Sequence, residues 1–258
     1  MARSAVDLTM ASGALTLNEG ERLDDLQVGG YRLIQRRDAF RFGTDSVLLA
    51  DFAAPRRRDI ALDLGCGTGA IATLMLAHCP ELTVDGVELQ AEIAELARRS
   101  AKLNDLEARF HIHTLDARDA YKTLGAERYT LIVCNPPYRR SGSGAENANA
   151  AQQIARGEDS LSPDQMALSA FQLLRTGGRL CAVFPAARAY ALMRALDAHR
   201  LTPKRIRTVH ARFNRPPKLI LLEAVKYGGE GLKWLEPLNL YGEDGQPTEE
   251  YRRIYRIT

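Results

Sequence analysis

The sequence predicts an α/β protein: a mostly parallel, seven-stranded sheet with an antiparallel last strand and helices on both faces. Two observations support this. From Ile60 onward, short apolar runs alternate with longer stretches of helical period, the pattern of strands buried on both faces and joined by crossover helices. The last two apolar runs are separated only by Asn214-Arg215-Pro216-Pro217. That is too short for a crossover, so those two strands should be antiparallel neighbours.

Taken in order, the first 25 or so residues show no sustained period and read as an arm or loose turns. Leu26 to Ile34 reads as a hairpin turning at Gly29-Gly30, which supply the positive φ of its turn. Thr44-Asp45-Ser46 offers N-cap chemistry for a short helix through Ala53, stopped by Pro55. Strands are expected at Ile60–Leu64, Leu82–Glu88, Ala108–His113, Tyr129–Cys134, Arg179–Phe184, Lys204–His210 and Leu219–Tyr227. Helices are expected at Ala70–His78, Gln90–Asn104, Pro163–Leu174 and Arg188–His199. Residues 141–150 are small and polar and read as a loop. The expected organisation is one structural domain in three segments. Residues 1–58 form an arm, hairpin and helix on the core, 59–227 the core, and 228–258 an acidic extension.

Hydrophobic residues make up 45% and charged residues 26%, which excludes wholesale disorder. A formal net charge of +3 argues against bulk polyelectrolyte binding but leaves a local basic patch open. Cys66, Cys79, Cys134 and Cys181 form no Cys-x-x-Cys pair and sit in apolar surroundings. They read as buried, reduced thiols of a cytoplasmic protein. His111 and His113 share one strand face without a third ligand, so a structural role is expected and no metal. The N-terminal residues lack the apolar core of a secretory leader and no apolar run reaches membrane-spanning length, so neither a leader nor a membrane partner is expected.

The chemistry begins at Asp63-Leu64-Gly65-Cys66-Gly67-Thr68-Gly69, between a strand and a helix. Glycines there let the backbone approach a ligand, and the helix N-terminus presents amide donors. Read alone, the pattern also fits a nicotinamide dinucleotide site. Glu88, at the end of the second strand with Leu89 beside it, is placed to take two ribose hydroxyls. Asp63 would repel a pyrophosphate and attract a cation. S-adenosyl-L-methionine, with its sulfonium, its ammonium and no phosphate, suits it better. Asp116 is a candidate acceptor for the cofactor's adenine amine. The sharpest signal is Asn135-Pro136-Pro137-Tyr138 directly after an apolar strand. The prolines fix the backbone, so that the Asn135 oxygen and a neighbouring carbonyl can accept both hydrogens of one planar amino group. The Tyr138 ring can lie against its face.

Together these motifs resemble the class I, Rossmann-like S-adenosylmethionine-dependent N-methyltransferases that act on amino groups of adenine, guanine or glutamine. Gly30-Tyr31-Arg32-Leu33-Ile34-Gln35 and Phe42-Gly43-Thr44-Asp45-Ser46-Val47-Leu48-Leu49-Ala50 narrow the resemblance, as do Lys204-Arg205-Ile206-Arg207 and Leu221-Leu222-Glu223-Ala224-Val225-Lys226. It then points to bacterial enzymes that N6-methylate the adenine 3′ of the anticodon in a valine tRNA. The resemblance implies that Asp63, Gly65, Gly67 and Gly69, with Cys66 and Thr68 between them, cradle the methionine end. Glu88 and Leu89 would hold the ribose, and Asp116 with Ala117 the adenine. Thr44 and Asp45 would close over the cofactor, and Asn135 to Tyr138 would grip the target amine.

Charge distribution points independently to a nucleic-acid partner. Between Arg188 and Leu222 there are nine basic residues against Asp197 alone, whereas Glu230 to Glu250 holds six acids and only Lys233. Arg139, Arg140, Arg205, Arg207, Arg212, Arg215 and Lys218 are the expected phosphate contacts. A protein glutamine N-methyltransferase and a non-catalytic RNA-binding protein remain as alternatives, and monomer and weak dimer are both open.

Overall fold

The structure is a computed structural model that describes residues 6–10, 13–37, 42–136 and 161–255. It opens with two small antiparallel pairs. β1 (Val6–Met10) pairs with β2 (Gly13–Leu17), and β3 (Glu21–Asp25) with β4 (Arg32–Arg36). The expectation of an arm or loose turns before residue 25 is therefore corrected. β3 reads Glu-Arg-Leu-Asp-Asp, too charged to show a strand period. Its first acid is buried against a cation, Arg99, which grips both Glu21 oxygens at 2.6 and 2.9 Å.

The expected hairpin is also shifted. Gly29 and Gly30 do have positive φ, 63° and 71°. However, Leu26 and Val28 lie in the connection and are buried in the core rather than laddered. The Leu26 amide donates to the Tyr31 carbonyl at 2.9 Å and closes that connection.

α1 (Thr44–Ala53) follows, with seven of its ten residues buried. Its N-cap is Gly43, which has no side-chain cap bond. The expected cap chemistry of Thr44, Asp45 and Ser46 thus lies inside the first turn, where Asp45 Oδ1 accepts the Ser46 amide at 3.1 Å.

The central elements are β5 (Ile60–Leu64), α2 (Ala70–His78), β6 (Thr83–Glu88), α3 (Ala91–Leu103), β7 (Phe110–Thr114), a short α4 (Ala120–Leu124) and β8 (Tyr129–Cys134). They are followed by α5 (Pro163–Leu173), β9 (Leu174–Pro185), α6 (Ala189–Ala198), β10 (Leu201–Arg212) and β11 (Pro217–Lys226). α5 starts in a capping box between Ser162 and Gln165 with Pro163 in the first turn. β5, β6, β7, β8 and β9 are parallel, and β11 runs antiparallel to both β9 and β10, as the short link at residues 213–216 required. The acidic C-terminal segment adds β12 (Lys233–Trp234) and β13 (Leu238–Tyr241), both parallel to β10, and ends in α7 (Glu249–Tyr255). The sheet order is β12-β10-β11-β9-β8-β5-β6-β7, with β13 also on β10.

The chain builds outward from β5 through β6 to β7, then crosses back so that β8 lies on β5's other side. That reversal is the position where open α/β sheets bind ligands, beyond the strand C-termini. Two apolar clusters fill the two sides of the sheet. One holds α1, α2 and Ile254 of α7, and the other α5 and α6.

α1 is pinned to the sheet by a buried ion network. Arg179 on β9 donates to the Ala53 and Ala54 carbonyls at the end of α1 and pairs with Asp59 and Glu223. Arg205 on β10 holds Glu223 at 2.9 Å and donates to the Phe52 carbonyl at 3.2 Å. Arginines on the last carbonyls of a helix complete its hydrogen bonding and oppose its dipole. Among the described residues, no helix is long and apolar enough to cross a membrane.

Candidate active site

Asp63 is the next-to-last residue of β5 and is fully buried. Its Oδ2 accepts the Ala72 amide at 3.2 Å, whereas Oδ1 is buried with no hydrogen-bond partner. Burial pushes its carboxyl up to about 7, and the Glu88 charge adds to the rise while the Ala72 amide opposes it. A buried carboxylate oxygen without a donor is costly unless a ligand supplies one.

The loop after β5 has Gly65, Gly67 and Gly69 at φ 82°, 55° and 88°. Gly69 is doubly constrained, because a Cβ there would also lie 2.7 Å from the Phe110 ring. Gly86, beside Asp63 on β6, has no room either. A Cβ there would meet Phe110 at 2.8 Å and the Cys66 sulfur at 2.9 Å. Cys66 is buried beneath the loop, and burial raises its thiol well above the usual range.

Glu88 ends β6 and is 8% exposed. Its two oxygens accept the Gly67 amide at 3.0 Å and the Gln90 amide at 2.9 Å. The acid therefore shapes the glycine loop and still has lone pairs for a ligand's hydroxyls. Leu89 beside it is 40% exposed. Thr68 accepts from the buried Gln35 amide of β4 at 3.1 Å. Through it the N-terminal hairpin reaches the loop. The hairpin is held on α3 by Ser100 and Asn104, which accept the Ile34 and Arg32 amides at 2.9 Å each.

Asp116 and Ala117 lie just beyond β7, both partly buried. Asp116 is gripped through both oxygens by Arg118, which holds its carboxyl below the usual range.

Asn135 and Pro136 follow β8, whose register pairs Val133 with Asp63. The pair is thus brought level with the glycine loop. The Asn135 amide donates to Ser46 Oγ in the first turn of α1 at 3.4 Å. Next to it, Thr44 Oγ1 lies 3.5 Å from the Tyr251 hydroxyl of α7. Pro137, Tyr138, Arg139 and Arg140 fall outside the described residues. The structure therefore brings together Thr44, Asp45, Asp63, the glycine loop, Glu88, Asn135 and Pro136 at one edge. The sequence reading carried Ser46 as a cap residue and a motif letter, Gln35 as a motif letter, and Arg118 not at all; their parts at the site come from the fold.

The basic cluster is less open than the sequence suggests. Arg205 is spent on Glu223 and α1, and Arg207 holds Glu250 at 2.7 Å and the Glu236 carbonyl at 2.8 Å. Glu250 is kept below the usual carboxylate range first by that Arg207 contact. Part of the acidic segment thus folds back to neutralise β10. Arg212, Arg215 and Lys218, around the β10–β11 turn, are exposed and make no ion pair among the described residues.

His113 Nε2 lies 3.0 Å from Asp85 Oδ1 and His111 Nδ1 3.6 Å from it, with Tyr129 donating to the other oxygen at 2.7 Å. Those histidines tie β7 to β6. No group of three metal-ligating side chains occurs among the described residues. Cys134 and Cys181 are buried, and burial lifts both thiols. Cys79 is only partly buried.

The model of the family described as "Methyltransferase small domain" matches residues 37–199. A protein of Porphyromonas gingivalis named tRNA1(Val) (adenine(37)-N6)-methyltransferase is 33% identical over 191 residues, 72% of this chain and 74% of that one. One of the same name from Cronobacter sakazakii is 36% identical over 151 residues, 58% of this chain and 60% of that one. Among solved structures, a predicted O-methyltransferase of Agrobacterium tumefaciens superposes with a TM-score of 0.69 at 23% identity, covering 83% of this chain and 96% of that one. A T. thermophilus 16S rRNA N2 G1207 methyltransferase in complex with AdoMet and guanosine gives a TM-score of 0.56 at 20% identity, covering 83% of this chain and 53% of that one. At these identities the two structures share the fold.

Proposed function

The chain belongs to the methyltransferase small domain family, in the group of the tRNA1(Val) (adenine(37)-N6)-methyltransferases, and from that premise we propose how its residues serve N6-methylation of an adenine in tRNA. It is an S-adenosylmethionine-dependent methyltransferase with a Rossmann-like fold. The observation that supports the reading most is the orphaned, buried Oδ1 of Asp63 at the glycine loop. A ligand bearing an ammonium and a sulfonium supplies the donor and the positive charge that this oxygen lacks, whereas a pyrophosphate supplies neither.

When bound, S-adenosylmethionine offers an electrophilic methyl on its sulfonium. The residues of the chain do the rest. Asp63 and the loop from Gly65 to Gly69 hold the methionine end, and Glu88 takes the ribose hydroxyls while keeping the loop in shape. Leu89 would flank the ribose, and Asp116 and Ala117 would hold the adenine. Asn135 Oδ1 and the Pro136 carbonyl accept the two hydrogens of the target amine, which favours localising its lone pair toward the methyl. Tyr138 would stabilise the charge that develops on the amine, a cation–π contribution of roughly 0.5–2 kcal/mol. The amine's proton becomes acidic only after transfer, so positioning and fixed dipoles account for the acceleration. Thr44 and Asp45, at the start of α1, close the site.

Arg212, Arg215 and Lys218, with Arg139 and Arg140, contact phosphates. Arg205 and Arg207 act mainly within the fold. An unpaired adenine in a loop is reached without breaking a base pair. Incubation with methyl-labelled cofactor and tRNA, followed by digestion to nucleosides, tests the assignment. Label in N6-methyladenosine is expected, and label on the glutamine of a peptide substrate instead would overturn it.

A further inference from the structure

We propose that Phe213 is a stacking platform for an unpaired base of the RNA substrate, other than the target adenine. This rests on the reading of tRNA as substrate and extends it to a contact that makes no phosphate bond.

Phe213 sits at the tip of the β10–β11 hairpin and is 52% exposed, the only exposed phenylalanine among the described residues. The tip is built to hold it out. The Arg215 amide donates to the Arg212 carbonyl at 3.3 Å, and Asn214 takes the left-handed conformation at φ 57°. His210 braces the turn from within, one ring nitrogen meeting the Arg215 carbonyl and the other lying 2.9 Å from the Thr208 hydroxyl.

The registers place this tip on the catalytic edge of the sheet. Cys134 pairs with Ala182, and Pro185, three residues further along β9, pairs with Leu219 of β11. Leu219 in turn pairs with Val209 of β10. Residues 212–217 therefore project past the level of Asn135, on the side to which the parallel strands point. By strand geometry the tip lies about 20 Å from Asn135, too far for the target base and within reach of a neighbouring one.

Other exposed aromatics lack this combination. Tyr227 follows the end of β11 at the opposite edge, and Trp234 pairs with Ile206 in mid-strand on the outer flank. Tyr190 already carries the Arg194 guanidinium over its ring at 5.8 Å, and Tyr241, level with Arg212, is packed edge-on against Tyr251 at 5.7 Å. Around Phe213, by contrast, stand Arg212, Arg215 and Lys218, exposed and without ion pairs among the described residues. An apolar ring among open cations suits a ligand that presents flat π-faces along a string of phosphates, which is single-stranded nucleic acid.

The test uses the full chain and a synthetic anticodon stem–loop RNA of the valine tRNA. Affinity is read by fluorescence anisotropy across a salt series, with wild type, Phe213→Ala, Phe213→Leu and Phe213→Trp. Phe213→Ala should weaken binding by about fivefold or more, leave the slope of log K against log salt unchanged, and leave S-adenosylmethionine affinity and the melting temperature at wild-type values. Phe213→Trp should restore binding, and Phe213→Leu should not. Wild-type affinity in Phe213→Ala, or full restoration by Phe213→Leu, would overturn the stacking platform while leaving the tRNA reading intact. Absence of RNA binding by the wild type would overturn both.

Discussion

Asn135 donates its side-chain amide to Ser46 Oγ at 3.4 Å, joining the end of β8 to the first turn of α1 across 89 residues of chain. With the nitrogen so engaged, the amide oxygen is the end left to face an incoming amine. α1 is held at its other end by Arg179 and Arg205, so the helix transmits the sheet's rigidity to the side chain proposed to orient the substrate.

Ser46→Ala removes the acceptor of that bond and lets the Asn135 amide rotate. A net hydrogen bond is worth about 0.5–1.5 kcal/mol, so turnover should fall by roughly 2- to 12-fold. Cofactor affinity by calorimetry should stay at the wild-type value. A loss confined to cofactor affinity would place Ser46 in the cofactor site instead.

Asp63 gives the site a pH signature. Its carboxyl titrates near 7 in the folded chain against 3.8 for an unperturbed group, so between those values the folded state binds more protons than the unfolded one. The contribution of Asp63 to the stability of the ligand-free protein should therefore fall as pH rises from about 4 to about 7 and level off above. Binding a cation requires the ionised form, so S-adenosylmethionine affinity should rise over the upper part of that range. Thermal melts and calorimetry at several pH values on wild type and Asp63→Asn check both trends. The variant should lose that contribution to the pH dependence, bind cofactor weakly, and be the more stable of the two above pH 7.

Glu88→Gln replaces one acceptor with an NH2 group, which then confronts either the Gly67 or the Gln90 amide donor. Charge-assisted bonds of this kind are worth about 1.5–3 kcal/mol. The apparent constant for cofactor should rise by roughly 10- to 100-fold, with turnover at saturation much less affected. Equal loss of turnover with no change in cofactor affinity would contradict the role.

The basic residues should separate into two classes. Lys218→Glu should weaken tRNA binding and flatten its salt dependence, because a lost phosphate contact releases fewer counterions. Arg205→Ala should lower the melting temperature, since it leaves Glu223 short of a partner and uncaps the end of α1. Its salt slope should stay close to wild type. Salt-dependent filter binding beside thermal melts distinguishes the two.

How much of this was legible in the sequence depends on the scale of the interaction. The parallel core reads directly from its continuous apolar strands, and the antiparallel last pair from the short Asn214–Pro217 link. Asp63, the glycines, Glu88 and Asn135 stand out because each sits at a strand end, where local order and chemistry coincide. β3 was hidden because its acid is neutralised by Arg99, 78 positions away. The internal use of Arg205 and Arg207 was hidden for the same reason, since their partners Glu223 and Glu250 become neighbours only through β11 and the folded-back C-terminal segment. Ser46 belonged to the resemblance as one letter of a motif, and only the fold reveals what its hydroxyl holds.

The central claim is tested most directly by nucleoside mass spectrometry on valine tRNA from a strain lacking the gene, complemented with wild type or with Asn135→Ala. The account predicts that N6-methyladenosine is lost on deletion, returns with the wild-type gene and stays absent with Asn135→Ala, although the variant protein still binds S-adenosylmethionine and tRNA. Persistence of the modification in the deletion strain, or its full return with Asn135→Ala, would contradict it.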